Sequence, residues 1–271
     1  MGFHLQSILM PTIFLADHHD QVYTFWKDHG MRGLSVAHVD SHCDMRGLLI
    51  DRPSQRACFT SHRESTFVDR GNFMTHAIME GMVKRITWIH NEHSGRGYDH
   101  GPVVAYESDK LAPLYRFRHN RSDRQDMPLA YHECLFEDWN GLREHEQLDL
   151  DWDALASVEF SDELQNKMIG GFLDTDLKHT PDVTFLIYSP GYSNPDRSIY
   201  RDFGKELASK FKADIVTLPE QELVTDGERF SAVRGAVKKL IPPQMMTTKH
   251  AVTRWARLRA TANDLEVPKA A

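Results

Sequence analysis

The stretch Val36-Ala-His-Val-Asp-Ser-His-Cys-Asp44 decides how this chain is read. An apolar lead-in ends in three ligand-type side chains at alternate positions, Asp40, His42 and Asp44. Side chains of an extended segment change faces at every residue, so these three share one side while Ser41 and Cys43 point away. Two carboxylates and an imidazole in one small volume cannot be left dry and empty, because burying an unpaired carboxylate costs several kcal/mol. Either water solvates the segment or a cation fills it.

Upstream, Thr12 to Ala16 is a short apolar run, followed by Asp17-His-His-Asp20 and then Val22, Tyr23, Phe25 and Trp26 at near-helical spacing up to Gly30. The pattern predicts strand, polar turn and helix. It sets His18 and His19 at the carboxyl end of a strand, where open parallel sheets hold their ligands. Downstream, residues 46 to 70 are polar and read as a long loop, Gly71 to Glu80 as a helix ended by Gly81, and Lys84 to His90 as a strand. Helix and strand alternating at this spacing are the mark of a parallel sheet. Short β-like pieces stand near Val103 to Tyr106 and Leu114 to Phe117. The span from about 91 to 147 reads as a peripheral insertion in a single domain covering 1–271.

Two Asp-x-Asp runs compete for the sheet edge opposite the opening motif: Asp149-Leu-Asp-Trp-Asp153 and Asp174-Thr-Asp176. A parallel strand needs a crossover of about a dozen residues before the next one. Only six residues separate Asp176 from the strand Val183 to Tyr188. Ser161 to Leu173, with Leu164, Met168 and Phe172 on one stripe, supplies a crossover helix instead, so the run at 149–153 belongs to the sheet and Asp174 and Asp176 to a helix end. The strand ending at Tyr188 runs into the turn-rich Ser189-Pro-Gly-Tyr-Ser-Asn-Pro-Asp196. Helices at Ile199 to Phe211 and Phe230 to Leu240, a strand at Asp214 to Leu218 and a basic helix at Lys249 to Leu265 complete the reading.

Composition excludes several classes. A net charge of −7 and a pI near 6.1 argue against nucleic-acid or membrane-surface partners, which call for a basic face. Three scattered cysteines, Cys43, Cys58 and Cys134, suggest neither a disulfide framework nor a thiolate metal site. No apolar run approaches a membrane span and the start lacks a secretory pattern, so the expectation is a soluble cytoplasmic protein. The sixteen histidines suit a site of imidazole and carboxylate.

Taken together, the histidine turn, the D-x-H-x-D motif and the later D-x-D resemble, in kind and order, the ureohydrolase fold of arginases, agmatinases and histone-deacetylase-like enzymes. Asp17-His-His with Phe25-Trp26, His38 to Asp44, Asp149 to Asp153 and Tyr188-Ser-Pro-Gly-Tyr-Ser193 are similar to the branch that includes peptide arginases of ribosomal peptide biosynthesis. The resemblance spans roughly residues 11 to 215. It implies a three-layer α/β/α fold with a mainly parallel sheet, arginase/deacetylase-like, and two Mn²⁺. Asp40 and Asp151 would bridge, with His19 and Asp44 completing one ion and His42 and Asp153 the other; His18 is the alternative to His19, and Asp149 stands behind the ligands. Oxygen and imidazole donors without thiolate suit manganese, and a metal pair lowers the pKa of a water aimed at the guanidinium carbon. The implied reaction converts arginine side chains of a precursor peptide to ornithine and urea.

This chain departs from the pattern where ordinary arginases carry a substrate-binding glutamate, since that strand ends in Ser189-Pro190-Gly191. Asp196 is the candidate for guanidinium recognition, and His76 and His90 are candidates for a proton donor. Alternatives are a small-molecule ureohydrolase, a deacetylase-type amidohydrolase, or a non-catalytic binding module, although a decayed site has no reason to keep six ligands.

Overall fold

The computed structural model describes residues 10–60, 68–91, 102–105 and 126–219. The β-like piece at 114–117 and the helices at 230–240 and 249–265 lie outside the described residues. The described segments fall in a compact unit running from Met1 to Leu223.

A central sheet is built from Thr12–Ala16 (β1), Leu34–Val39 (β2), Val83–His90 (β5), Ala130–Leu135 (β8), Glu146–Asp151 (β9), Val183–Ile187 (β10) and Asp214–Thr217 (β11). Their order is β11-β1-β10-β9-β2-β5-β8, and every pairing is parallel. Alternate residues along each strand feed different cores. Phe14, Val36, Phe185 and Ile187 pack with Val22, Tyr23 and Trp26 of Asp20–Asp28 (α1) and with Phe73, Met74 and Ile78 of Phe73–Met79 (α2). Ile13, Ala37, Val39, Leu148, Leu150 and Leu186 pack instead with Phe172 of Asp162–Asp174 (α4) and with Tyr200, Phe203 and Leu207 of Arg197–Phe211 (α5). Helices therefore cover both faces, which makes the fold a three-layer α/β/α arrangement with a parallel sheet. No helix among the described residues is long and apolar enough to cross a membrane.

Local chemistry accounts for the boundaries. Ser161 caps α4, its hydroxyl accepting the Leu164 N–H at 3.3 Å, a contact worth about 1 kcal/mol. Asp174 is the last residue of α4 and Asp176 lies in the turn beyond it, as the crossover argument requires. Trp26 is fully buried and donates its indole N–H to Gln147 at 3.1 Å, tying α1 to the start of β9.

Residues 46–70 differ from the expected long loop. They contain an antiparallel hairpin, Leu48–Asp51 (β3) with Arg56–Phe59 (β4), extended by Val103–Ala105 (β6) and Met127–Pro128 (β7) into a second, four-stranded sheet. The apolar signal is only Leu48-Leu-Ile50, all fully buried, and the charged residues around it masked the strand. Part of the span read as an insertion, β8, forms the edge strand of the central sheet beside β5.

The sheet has a topological switch between β2 and β9. The chain leaves β2 toward β5 and leaves β9 toward β10, in opposite directions. The ends of neighbouring strands open a crevice at such a point. Val39 pairs with Leu150, so Asp40 and Asp151, the next residue of each segment, come side by side at its mouth.

Candidate metal centre

Two strand ends and two helix starts build the cluster. Asp40, His42 and Asp44 follow β2; Asp151 ends β9, and Asp153 opens a short helix, Asp153–Ala156 (α3). His19 stands at the N-cap of α1, where the Gln21 carboxamide accepts the backbone N–H groups of Asp17 and His18 at 3.0 and 2.9 Å and fixes the turn. Nδ1 of His19 lies 3.0 Å from Asp44 Oδ2, 3.1 Å from Asp151 Oδ2 and 3.4 Å from Asp40 Oδ2. Nδ1 of His42 lies 3.1 Å from Asp153 Oδ2 and 3.6 Å from Asp40 Oδ1. Asp40 thus turns one carboxylate oxygen to each imidazole, the disposition of a bridging ligand. The structure brings all six residues of the expected ligand set together, with Nδ1 of His19 among the carboxylates, and His18 lines the same cavity.

The electrostatics of the cluster are severe. Asp40, Asp44, Asp151 and Asp153 are all buried, Asp40 completely, and Asp40 Oδ2 has no hydrogen-bond partner. Burial, then the neighbouring carboxylates of Asp151, Asp44 and Asp153, drive the Asp40 carboxyl well above its usual range. Asp153 is raised by burial and by Asp151. For His19 burial works against the charged form, but the carboxylates of Asp151 and Asp149 outweigh it and hold the imidazole well above its ordinary value. Hydrogen bonds to Asp153 and Asp40 push His42 up to about 11. The crowded carboxylates thus favour the protonated forms of His19, His42, Asp40 and Asp153.

Divalent ions fit this donor set. An octahedral ion with ligands at ~2.1 Å holds neighbouring donor atoms ~3.0 Å apart, close to the short contacts around His19 Nδ1. Four carboxylates balance two divalent charges. Cys43, inside the motif, stays a thiol because burial pushes it up, so the donors are oxygen and imidazole. Two backbone features hold the ligands. Asp44 and Ser189 both adopt left-handed conformations, each with φ 50°, a strained choice for residues other than glycine. Ser189 then donates its hydroxyl to Asp151 Oδ2 at 2.6 Å.

A cavity of about 280 Å³ opens on the cluster, its wall completed by Arg46, Arg70, Gly71, Pro190 and Tyr192. Arg46 is ion-paired with Asp69, and Arg70 is exposed. The candidate catalytic residues are not brought to this cavity. His76 lies buried within α2 with its ring against Tyr23 and Phe59. His90 ends β5 but turns to Glu133, 3.3 Å from its Nε2, and to the Trp88 ring at 4.4 Å. Asp196 caps α5, its carboxylate accepting from the Ser198 N–H at 2.9 Å and hydroxyl at 2.7 Å. What the sequence reading missed is the rim arginines, which no spacing announces, and His38, which continues the alternation of the motif one step deeper.

No known protein family's pattern and no curated protein sequence matches this chain. Among solved structures it is similar to proclavaminate amidino hydrolase from Streptomyces clavuligerus, with 14% identity, 73% of this chain and 64% of that chain covered, and a TM-score of 0.36. The chain thus spans just under two thirds of that protein's length.

Proposed function

We propose that this protein is a binuclear manganese hydrolase that cleaves the guanidino group of arginine side chains in a precursor peptide, leaving ornithine and releasing urea. The observation that carries the reading is the split of Asp40 between His19 and His42 within four buried carboxylates at the sheet's switch point. His19, Asp40, Asp44 and Asp151 would hold one ion, and Asp40, His42, Asp151 and Asp153 the other. Such a pair would supply Lewis acidity and lower the pKa of water beside the reacting carbon. The chain's own part is to fix those ligands on rigid strand ends, to keep Asp151 oriented through Ser189, and to exclude bulk water from the buried side. The motif resemblance supplies the guanidino and peptide part of the reading.

A second reading, a small-molecule ureohydrolase, is favoured by the exposed Arg70 at the cavity wall, since a guanidinium group suits the carboxylate of a free amino acid. Urea release from manganese-loaded protein decides between them. The expected result is a higher kcat/KM for an arginine peptide blocked at both ends than for free arginine. The reverse ranking gives the second reading, and no urea from either removes the guanidino assignment.

A further inference from the structure

One step beneath the six proposed ligands lies a polar pair outside that set, although His38 also comes near enough to His19 and Asp40 to serve an ion. β2 and β9 set His38 beside Asp149, both fully buried, with His38 Nδ1 2.8 Å from Asp149 Oδ2. The other Asp149 oxygen, Oδ1, lies 3.6 Å from His19 Nε2, and neither of those two atoms has a hydrogen-bond partner. Phe73 stacks on the His19 ring at 5.1 Å and meets the His38 ring edge-on at 6.2 Å, so both imidazoles are confined by packing.

A neutral imidazole carries one N–H. If Nδ1 of His19 offers its lone pair to an ion among Asp40, Asp44 and Asp151, the proton must sit on Nε2 and needs an acceptor in a dry place. Asp149 Oδ1 is the carboxylate oxygen that faces it. His38 occupies the remaining oxygen of Asp149 and so fixes the carboxylate plane. Its own Nε2 lies 3.3 Å from Asp40 Oδ2, which keeps the pair in register with the ligand layer.

We infer that Asp149, held by His38, is the positioning residue that accepts the His19 Nε2–H and thereby presents Nδ1 to the ion shared with Asp44. This rests on the binuclear reading above. Its consequence is selective, because Asp149 stands behind His19 and not behind His42.

The test is manganese affinity of the full chain, measured by competition with a chelator, for the wild type, Asp149→Leu and Asp149→Asn. The wild type binds two ions. Asp149→Leu, which removes the acceptor at similar volume, weakens one ion by about 10- to 100-fold, the usual effect of losing such a partner, and leaves the other within about threefold. Asp149→Asn, whose amide oxygen can still accept from His19, recovers most of the loss. Equal weakening of both ions, or none, overturns the positioning role while the metal reading stands. A wild type that binds no manganese overturns both. Should Asp149→Leu not fold, imidazole ¹⁵N spectra of the Zn²⁺-loaded wild type decide: a proton on Nε2 of His19 with metal at Nδ1 is expected, and ligation through Nε2 overturns the inference.

Discussion

The two imidazole sides of the candidate metal centre meet at Asp40 but differ in nearly everything else. The His19 half is sealed: the side chain is 3% exposed, its ring lies on Phe73, and three carboxylates approach one nitrogen. The His42 half is open: that side chain is 40% exposed, and its ring meets Tyr192, itself 57% exposed, edge-on at 5.3 Å. His19 comes from the first turn of a packed helix, whereas His42 sits on the irregular segment after β2. Screening by water weakens charge interactions at the open half and leaves them strong at the sealed one. On the proposed binuclear reading, the sealed side would favour retention of its ion and the open side exchange.

The harshest challenge to that comparison is to remove what the halves share. Asp40→Ala is expected to abolish binding of both ions and to lower kcat/KM by about 10³-fold or more, several kcal/mol of lost transition-state stabilisation. Elemental analysis after manganese reconstitution, paired with urea release, checks it. Retention of one ion would mean that the halves are independent and Asp40 bridges nothing.

A finer cut separates the halves. His42→Ala is expected to leave one tightly held ion per chain and His19→Ala to cost more, because the lost imidazole there leaves three buried carboxylates facing one another. Calorimetric manganese titration should show about a tenfold gap between the variants in the affinity of the remaining ion. Equal affinities would erase the distinction between sealed and open.

Protons report on the same contrast in metal-free protein. The raised values of His19 and His42 mean that the folded chain keeps protons the unfolded chain loses near pH ~6.5. Their stabilisation is therefore complete below about pH 6.5 and is lost as pH rises, for His42 through about 11. Asp40 and Asp153, also raised, act in the same sense from about pH 4 upward. Asp149 is lowered: burial opposes its charge, but His19 and His38 prevail, so its contribution is lost only as pH falls below about 4. The melting temperature in chelator should accordingly fall between about pH 6 and about pH 9, and manganese should flatten the trend by taking the place of protons. A rise over that range in chelator would contradict the crowding of charge at the cluster.

How much of this the sequence disclosed depends on period. Crossover length assigned Asp149 to Asp153 to the sheet, which follows from local geometry; the convergence of Asp40, His42 and Asp44 was expected from strand alternation, but β2 ends at Val39 and a bent segment with Asp44 in a left-handed conformation brings them together instead. The hairpin at 48–59 was hidden because strands of four residues offer too few positions for alternation, and Leu48-Leu-Ile50 is buried on both faces. His76, His90 and Asp196 are of the right chemical type, but where a side chain points depends on packing against α1, β8 and α5, which no spacing encodes. The His38–Asp149 pair needed the register of β2 against β9, a long-range quantity.

The smallest effect expected belongs to the other Asp-x-Asp run, which has the same letters as the sheet-edge motif and none of its surroundings. Asp174 ends α4 at the surface, and Asp176 accepts the Lys178 N–H at 3.0 Å in an exposed turn. An exposed carboxylate keeps its hydration, so removing it leaves no charge stranded and no ion unbound. Asp174→Ala and Asp176→Ala should each change stability by about 0.5 kcal/mol or less, a shift of only a degree or two in a chain this size, with two ions still bound and urea release within about twofold of wild type. Denaturant midpoints and metal stoichiometry measured on the same samples check both halves of that statement. Loss of an ion in either variant would place a ligand on the helix end and unseat Asp151 and Asp153 from the centre.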